Sequence, residues 1–313
     1  MSTDQLDPGP RHSGQLAPAL GAAASPVEPP ETIEARRRAR LLRRFLRHRL
    51  AVASLLILLV VVLISVFAPV IAPYDPSATD INNLTATGPT AAHWLGTDDI
   101  GEDVLSRVLF GGRISLSIGA GAALLSLVLG VVVGAVAGWF GGIVDTLLMR
   151  FVDLMLCFPA LFLLLIFFAL VPASELVIVL FLGLFGWMYL ARIVRGDFLA
   201  LREQEFVQSA LALGVGSRRI IWRHLLPNVV GVVIVTGTLN VAYNMLAEAT
   251  LDFLGYGVPP DTPTWGNMLT TASNHYIDQP LLAIAPGLTL TVVILCINFL
   301  GDGLRDALDP KMS

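Results

Sequence analysis

Long apolar runs, separated by short polar segments, occupy most of the chain. A helix needs about 20 apolar residues to cross the hydrocarbon core of a bilayer, and several runs approach that length. They cover residues 50–72, 114–138, 154–171, 172–191, 229–247 and 281–300. The pattern predicts an all-α polytopic membrane protein with six transmembrane helices. The third and fourth runs meet at a tight turn, which should place Pro172 in the first turn of the fourth helix.

Glycine recurs every four residues in the second run, at Gly130, Gly134 and Gly138. Residues with this spacing lie on one face of a helix, and small residues there let a second backbone approach closely. We therefore predict a helix-packing seam on this face. A direct contact with a transported solute is the alternative interpretation.

The composition argues against a soluble enzyme. Apolar residues make up 55% of the chain and charged residues 14%, which leaves too little polar surface to cover a globule. The single lysine, Lys311, cannot serve as the lysine of a P-loop or a Schiff base, so we expect no nucleotide hydrolysis by this chain. Cys157 and Cys296 lie inside apolar runs, which argues against a disulfide framework. His93 and His275 are isolated in the sequence, and we expect no metal site and no bound cofactor.

Positive charge is concentrated ahead of the first apolar run. The arginines there are Arg36, Arg37, Arg38, Arg40, Arg43, Arg44, Arg47 and Arg49. Because they abut a hydrophobic span, we interpret them as a cytoplasmic anchor that touches anionic lipid headgroups rather than as an arm that binds nucleic acid. With the N-terminus inside, only Arg107 and Arg113 among the 20 lysines and arginines lie outside. The positive-inside rule thus predicts that both termini are cytoplasmic.

The pattern divides the chain into four segments. Residues 1–35 are rich in Pro, Gly, Ala and Ser and are expected to form a disordered cytoplasmic tail. Residues 36–113 would hold the basic anchor, the first transmembrane helix and an outer loop. Residues 114–303 would form a five-helix core with a cytoplasmic loop at residues 192–228, and residues 304–313 a cytoplasmic C-terminal tail.

The loop at residues 192–228 has helical periodicity of its own. Apolar spacing predicts a first short helix over residues 205–213 and a second over residues 217–226. Gly214 and Gly216 would permit a sharp reversal between them, because glycine takes positive φ without steric cost.

Two further residues of this loop should set the bounds of the second helix, with Ser217 as its cap and Pro227 as its end. A short surface helix fixed at both ends to membrane helices is suited to sit in a groove of a soluble partner. Such a loop would convert motion of the partner into motion of the membrane helices.

The loop also carries a family resemblance. The sequence EFVQSALALG at residues 205–214, followed by RRIIWRHLLPN at residues 218–228, resembles the EAA loop of ABC importer permeases. Gln208 and Ser209 replace the Glu-Ala pair of the general pattern, and His224 stands for an isoleucine. This form is similar to that of the dipeptide, oligopeptide and nickel branch. Three other segments resemble the C-type permease of that branch, at residues 93–113, 251–268 and 298–310.

The resemblance implies a type I-like ABC importer permease, without catalytic residues, in a prokaryotic inner membrane. Its implied partners are a homologous second permease, two ATP-binding subunits or domains that use ATP and Mg, and an extracytoplasmic solute-binding protein. The implied cargo is peptides, or nickel and related small solutes. The residues implied to couple to the ATPase are Glu205, Phe206, Val207, Ala210, Leu211, Gly214, Gly216, Arg218, Arg219, His224, Leu226 and Pro227.

Acidic residues near the ends of the predicted spans suggest further sites. Glu248 and Asp252 lie one helical turn apart at the outer end of the fifth span, with Asn244 one turn before them, where they could face a translocation path. Solvation at the interface, or pairing with a neighbouring subunit, is the alternative. Asp145 and Asp153 flank Arg150 and are interpreted as a charge cluster at the inner surface.

An acidic segment before the second span is expected to lead an amphipathic outer helix that ends near Phe110. Its members are Asp98, Asp99, Glu102 and Asp103, which favour a helix N-terminus. This helix would cover the pathway or meet the binding protein, and the sequence leaves both open.

An ion-coupled secondary transporter is the rival function, with Asp153, Glu248 or Asp252 as the coupling site. Such carriers typically have broken helices and charges near the bilayer midplane. None of the six predicted spans has a charge near its centre. The sequence therefore favours the ATP-driven importer.

Overall fold

Helices predominate in the computed structural model, which describes residues 43–81 and 85–308. The predicted tail at residues 1–35, the arginines from Arg36 to Arg40 and the last residues with Lys311 lie outside the described residues. The successive helices are α1 (Arg49–Val66), α2 (Ala68–Ile71), α3 (Val104–Phe140), α4 (Gly142–Leu156), α5 (Ala160–Leu170), α6 (Glu175–Arg202), α7 (Glu205–Ala212), α8 (Ser217–Ile220), α9 (Leu226–Phe253), α10 (Trp265–Ala272) and α11 (Leu281–Leu308). A π-helical turn, Ile221–Leu225, joins α8 to α9.

The helices confirm the predicted all-α membrane fold. Within residues 43–81 and 85–308, β-structure is limited to isolated bridges such as the one between Thr87 and Thr97. In the part of the chain that the structure describes, five helical segments are long and apolar enough to cross a membrane, namely α1, α3, α6, α11 and the segment Ser217–Phe253. A sixth span is present if the pair α4 and α5 counts as one.

The third predicted span is bent rather than straight. The axes of α4 and α5 differ by 76°, and the break falls at Cys157, Phe158 and Pro159. Proline disfavours helical backbone at the residue before it and offers no N–H for the helix ladder. The apolar composition of residues 154–171 therefore predicted a membrane segment correctly but not its direction.

Two predicted helix starts are wrong. Residues 98–103 form turns, and α3 begins at Val104 and continues without a break, so no separate outer helix ends near Phe110. Asp103 caps α3, because its carboxylate accepts a hydrogen bond from the Ser106 N–H at 2.8 Å. In α6 the cap is Ser174, and Pro172 lies in the preceding connection rather than in the first turn.

The glycine seam of α3 packs against α6, as the spacing predicted. A Cβ added at Gly134 would lie 2.6 Å from the Ala191 carbonyl oxygen and 2.8 Å from the Val194 Cβ. A Cβ added at Gly130 would meet Leu190 and Trp187 at similar distances. The two backbones are therefore as close as glycine allows, and the contact fixes α6 along the length of α3.

The remaining long helices surround this pair. Helix α9 packs against α3, and α11 joins α9 to α1. Near the end of α3 that carries Val104, the short helix α10 inserts Trp265, which is buried and donates its indole N–H to the Val108 carbonyl at 2.9 Å. This bond ties α10 to the beginning of α3.

The glycine seam yields a test of this packing. We expect Gly134→Ala to lower stability by about 1–3 kcal/mol, because the new methyl group overpacks a closed contact. Gly196→Ala on α6 is the matched control, since a Cβ there meets nothing within 4 Å, and it should be neutral or stabilising by about 0.5–1 kcal/mol. Thermal midpoints of the purified protein in detergent measure both. Equal midpoints for the two variants would contradict the seam.

Candidate functional site

The loop between α6 and α9 is a folded element with a buried side. Helix α7 begins only two residues after α6 ends, and its Val207 is fully buried. Val207 belongs to an apolar cluster with Trp139 of α3 and Phe198 of α6, and Ala210 packs against the same cluster. We call the segment from Glu205 to Leu226 the docking loop. Its buried side packs against the C-terminal ends of α3 and α6, the two helices that form the glycine seam.

The reversal after α7 depends on Gly214. This residue has φ of +77°, the conformation predicted from the sequence. Its N–H donates to the Leu211 carbonyl at 2.9 Å, and the Val215 N–H donates to the Ala210 carbonyl at 3.0 Å. These two bonds form a Schellman motif, in which a glycine ends a helix and satisfies its last carbonyls.

Three details of the predicted loop are wrong. Gly216 has φ of −63°, so it precedes α8 without needing the left-handed region. Ser217 is the first residue of α8, whose N-cap is Gly216, and its side chain makes no capping bond. Pro227 lies in the first turn of α9 rather than ending a helix. The preceding π-helical turn widens the backbone ahead of the proline ring, so the helical path continues from Ser217 into the membrane span.

The second half of the docking loop is anchored like the first. Ile220 and Leu225 are fully buried in the same cluster as Val207 and Phe198. Leu226 packs against that cluster from its edge. The loop therefore joins α6, α9 and the end of α3 through one continuous apolar contact.

The outer side of the docking loop is apolar and basic. Leu213 is 83% exposed and Trp222 68% exposed, and Phe206 is also exposed. An open depression of about 510 Å³ beside Trp222 is lined by Gly216, Arg218 and Arg219. Large exposed apolar side chains rimmed by charge are typical of a protein-binding surface.

The other predicted loop residues have the following positions. Glu205, Leu211 and Pro227 are exposed, and His224 is half-buried with its ring centroid 6.3 Å from that of Phe206. The structure thus brings the predicted residues from Glu205 to Leu226 into one element, divided between a buried and an exposed side, and Pro227 follows them in α9. Their contact with an ATPase stays a prediction.

The residues predicted to face a translocation path are buried within the chain. Asn244, Glu248 and Asp252 are at most 3% exposed. Asp252 accepts hydrogen bonds from the Val258 N–H at 2.8 Å and from the hydroxyl of Thr264. Thr264 also caps α10 through a capping box with Asn267. Asp252 therefore ties the outer end of α9 to the loop that positions α10.

Glu248 and Asn244 lie further along α9 than Asp252, towards the middle of this membrane-spanning helix. The Ser115 hydroxyl of α3 donates to Glu248 at 3.2 Å, and the Asn244 side-chain N–H donates to Asn240 Oδ1 at 3.0 Å. Positions 240, 244, 248 and 252 are spaced by four, so the polar side chains share one face of α9. A contact between these residues and cargo stays a prediction. Glu248 joins α9 to α3, whereas Asn244 forms its bond within α9.

Sequence reasoning missed a second polar cluster around Arg107. This guanidinium is buried, forms an ion pair with Glu102, and donates to the Pro260 carbonyl at 3.0 Å. Asp98 lies 3.8 Å from it, and burial raises the pKa of Asp98 while Arg107 opposes the shift. The signal in the sequence was an arginine on the side of the membrane that has almost no positive charge.

The histidine His93 is also paired, contrary to its isolated appearance in the sequence. Its Nδ1 lies 2.9 Å from Asp103 Oδ1, and its Nε2 lies 3.6 Å from Asp80. Asp103 is the cap of α3, so His93 fastens the outer segment to the start of that helix. Among residues 43–81 and 85–308, no group of three or more His, Cys, Asp or Glu side chains has the arrangement of a metal site.

Comparison with known families places most of the chain in one group. Residues 130–313 match the family described as the binding-protein-dependent transport system inner membrane component. Residues 37–89 match a second family, described as the N-terminal TM domain of oligopeptide transport permease C. The first match contains the docking loop, α9, α10 and α11.

Curated relatives are similar over nearly their whole length. The oligopeptide transport system permease protein OppC of Haemophilus influenzae is 41% identical over 271 residues, which are 86% of this chain and 87% of that protein. OppC of Mycobacterium tuberculosis (strain ATCC 25618 / H37Rv) is 41% identical over 278 residues, or 88% of this chain and 95% of the relative. The glutathione transport system permease protein GsiD of Pectobacterium atrosepticum is 37% identical over 270 residues, covering 86% and 90%.

The bonds of Asp252 predict its contribution to stability. We expect Asp252→Ala to lower stability by about 1–3 kcal/mol, because the Val258 N–H and the Thr264 hydroxyl lose their buried acceptor. Asp278→Ala is the control, since Asp278 is an exposed acidic residue of the same outer region. Thermal midpoints in detergent compare the two. An unchanged thermal midpoint for Asp252→Ala would show that this carboxylate does not stabilise the structure.

Proposed function

We propose that this chain, which belongs to the family of binding-protein-dependent transport system inner membrane components, forms half of the translocation pathway of an ATP-driven importer. The chain is a multi-pass inner-membrane permease subunit and not an enzyme. The observation that carries the proposal is the docking loop, a rigid surface element joined directly to membrane helices.

Peptides are the cargo that we propose. The relatives named above are described as permeases for oligopeptides and for glutathione. A peptide carries backbone donors and acceptors at every residue, so a path for it needs polar groups at intervals rather than one deep binding site. In this proposal the cargo is selected by a separate extracytoplasmic binding protein, which delivers it to the outer face of the permease.

The proposed complex contains several other subunits. A homologous second permease supplies the other half of the pathway, and two ATP-binding subunits or domains use ATP and Mg. This chain itself binds no cofactor. Both of its termini and the docking loop face the cytoplasm, because that orientation leaves only Arg107 and Arg113 among the lysines and arginines outside.

The docking loop would transmit the motion of the ATPase. Its exposed side presents Phe206, Leu213 and Trp222 to a groove of the partner, in the manner of a helix held by apolar anchors. Its buried side contacts α3, α6 and α9. Because packed interiors move as units rather than deform smoothly, a displacement of this loop would move the attached helices.

The reversal at Gly214 provides a test of this role. Gly214→Ala forces a Cβ into the left-handed region, at a cost of about 1–2 kcal/mol, and should displace the exposed side of the loop. We expect several-fold less ATPase to co-purify with the permease, with normal insertion into the membrane. Gly216→Ala is the matched control, since its φ of −63° suits alanine. Full ATPase association in the Gly214 variant would contradict the docking role.

The energy source separates this function from its rival. Uptake by the reconstituted complex should stop when the ATPase subunits carry inactivating substitutions, while a membrane potential or ion gradient alone should not restore it. The bend between α4 and α5 is the one feature of a broken-helix carrier that we find among the described residues, and it carries no charged residue at the break. Uptake that continued under an ion gradient would establish the secondary transporter instead.

A further inference from the structure

We infer that Arg192 and Arg195 of α6 are positioning residues for transport, because they hold α4 to α6 so that α4 moves with the docking loop, while Arg202 holds the adjoining end of α3 to the same helix. The inference rests on the proposed function of that loop. It assigns a role to a set of side chains outside the docking surface. Helix α4, which we call the arm, lies between two breaks in the helical path.

Each of the three arginines contacts a different point of the hairpin formed by α3 and α4. Arg195 binds Asp145 through two hydrogen bonds, from Nε at 2.5 Å and from Nη2 at 2.6 Å. Arg192 donates to Asp153 at 2.5 Å. Arg202 donates to the Trp139 carbonyl, near the end of α3, at 2.9 Å. The contacts thus extend from the turn between the two helices to the far half of α4.

The spacing makes this arrangement a consequence of helix geometry. At 100° per residue, positions 192, 195 and 202 fall within one narrow sector of α6. Asp145 and Asp153 are about two turns apart on α4 and lie on neighbouring parts of its surface. The sequence suggested that these two carboxylates form a cluster with Arg150. In the structure they pair instead with the facing helix.

Helix α4 has a break at each end. Gly141 and Gly142, at its start, have φ of +64° and +55°, and a Cβ at Gly142 would meet nothing within 4 Å. The 76° bend at residues 157–159 follows its end. Hinges are typically a few residues at element ends that absorb the change in backbone angles. The arm therefore has a hinge at each end, and between the two hinges it is attached to α6.

The contacts between α4 and α6 fix the register and orientation of one helix relative to the other. Val152 packs against Trp187, Met188 and Ala191 of α6, which holds the two helices together. Apolar packing alone resists sliding poorly, whereas a bidentate guanidinium–carboxylate pair fixes register and orientation. The pair between Arg192 and Asp153 is about half exposed, and exposed pairs add little stability. Its contribution is to position rather than to folding.

Helix α6 continues into the docking loop after only Glu203 and Gln204. A displacement of α7 by the partner would therefore move α6, and Arg192 and Arg195 would carry α4 with it. The motion would end at the bend before α5. Helix α5 packs against Ile178 and Leu182, near the start of α6 and far from the docking loop. The motion would therefore be a tilt of α6 that is largest beside α4 and smallest beside α5.

Charge reversal in the complete transporter tests the inference. We expect Asp145→Arg or Arg195→Asp to leave ATPase association intact and to lower uptake per ATP hydrolysed at least fivefold. The double variant, Asp145→Arg with Arg195→Asp, should recover at least half of the normal ratio. Arg150→Asp on the same helix is the control, since Arg150 is exposed and forms no ion pair among residues 43–81 and 85–308. It should keep the normal ratio.

Each other outcome counts against the inference. Loss of ATPase association in the single variants would mean that the pair supports only the fold of the docking loop. Normal coupling in the single variants, or no recovery in the double variant with the complex assembled, would show that the pair does not position α4.

Distance measurements separate this inference from the proposed function. Spin labels at Leu147 of α4 and Gly196 of α6 should keep one separation with and without trapped nucleotide, in a background with Cys157→Ser. Labels at Leu147 and at Phe162 of α5 should change theirs. Equal changes in both pairs would overturn the positioning role even if uptake depends on ATP. Uptake without ATP would contradict the proposed function. The distance between the labels at Leu147 and Gly196 would still show whether α4 stays with α6.

Discussion

The close approach of α3 and α6 is the contact on which the rest of the chain depends. Gly134 lets the Ala191 carbonyl come within a distance that no side chain would permit, and Gly130 and Gly138 repeat the arrangement along the same face. In a bilayer, where lipid tails compete equally for apolar side chains, such backbone proximity is a main source of helix association. The docking loop, the arm of α4 and the outer helix α10 all attach to the two helices that this seam joins.

Polar contacts lie near both ends of the two-helix unit formed by α3 and α6, where this unit meets other elements. At one end Arg195 connects it to α4, and Arg202 ties α6 to the end of α3 within the unit. At the other end Asp252 and Thr264 connect α9 to α10, and α10 in turn reaches the start of α3 through Trp265. Buried polar groups need specific partners, so these bonds define relative positions that apolar packing alone would leave open. The subunit is consequently stiff within its units and jointed between them.

Sequence predicted the class, the membrane helices, the glycine seam and the reversal at Gly214, because each depends on local spacing or on one residue's backbone freedom. It did not predict the partners of Asp145, Asp252 or Arg107. Those partners lie at very different separations, from Glu102, five positions before Arg107, to Pro260, 153 positions after it, and residue type alone does not select among them. The same limit explains Pro227, which would end a helix in isolation but begins one after a π-helical turn.

The two sides of the docking loop have different constraints. Val207, Ile220 and Leu225 face inward and must fit a closed apolar cluster, whereas Leu213 and Trp222 face outward and touch little of this chain. In the proposed function, recognition of a partner and transmission of its motion would therefore reside in different positions of one short segment. A change at an outward position would leave the packing of the inward side chains intact. A permease built in this way can be matched to a different motor by changing a few surface residues, without redesign of its membrane helices.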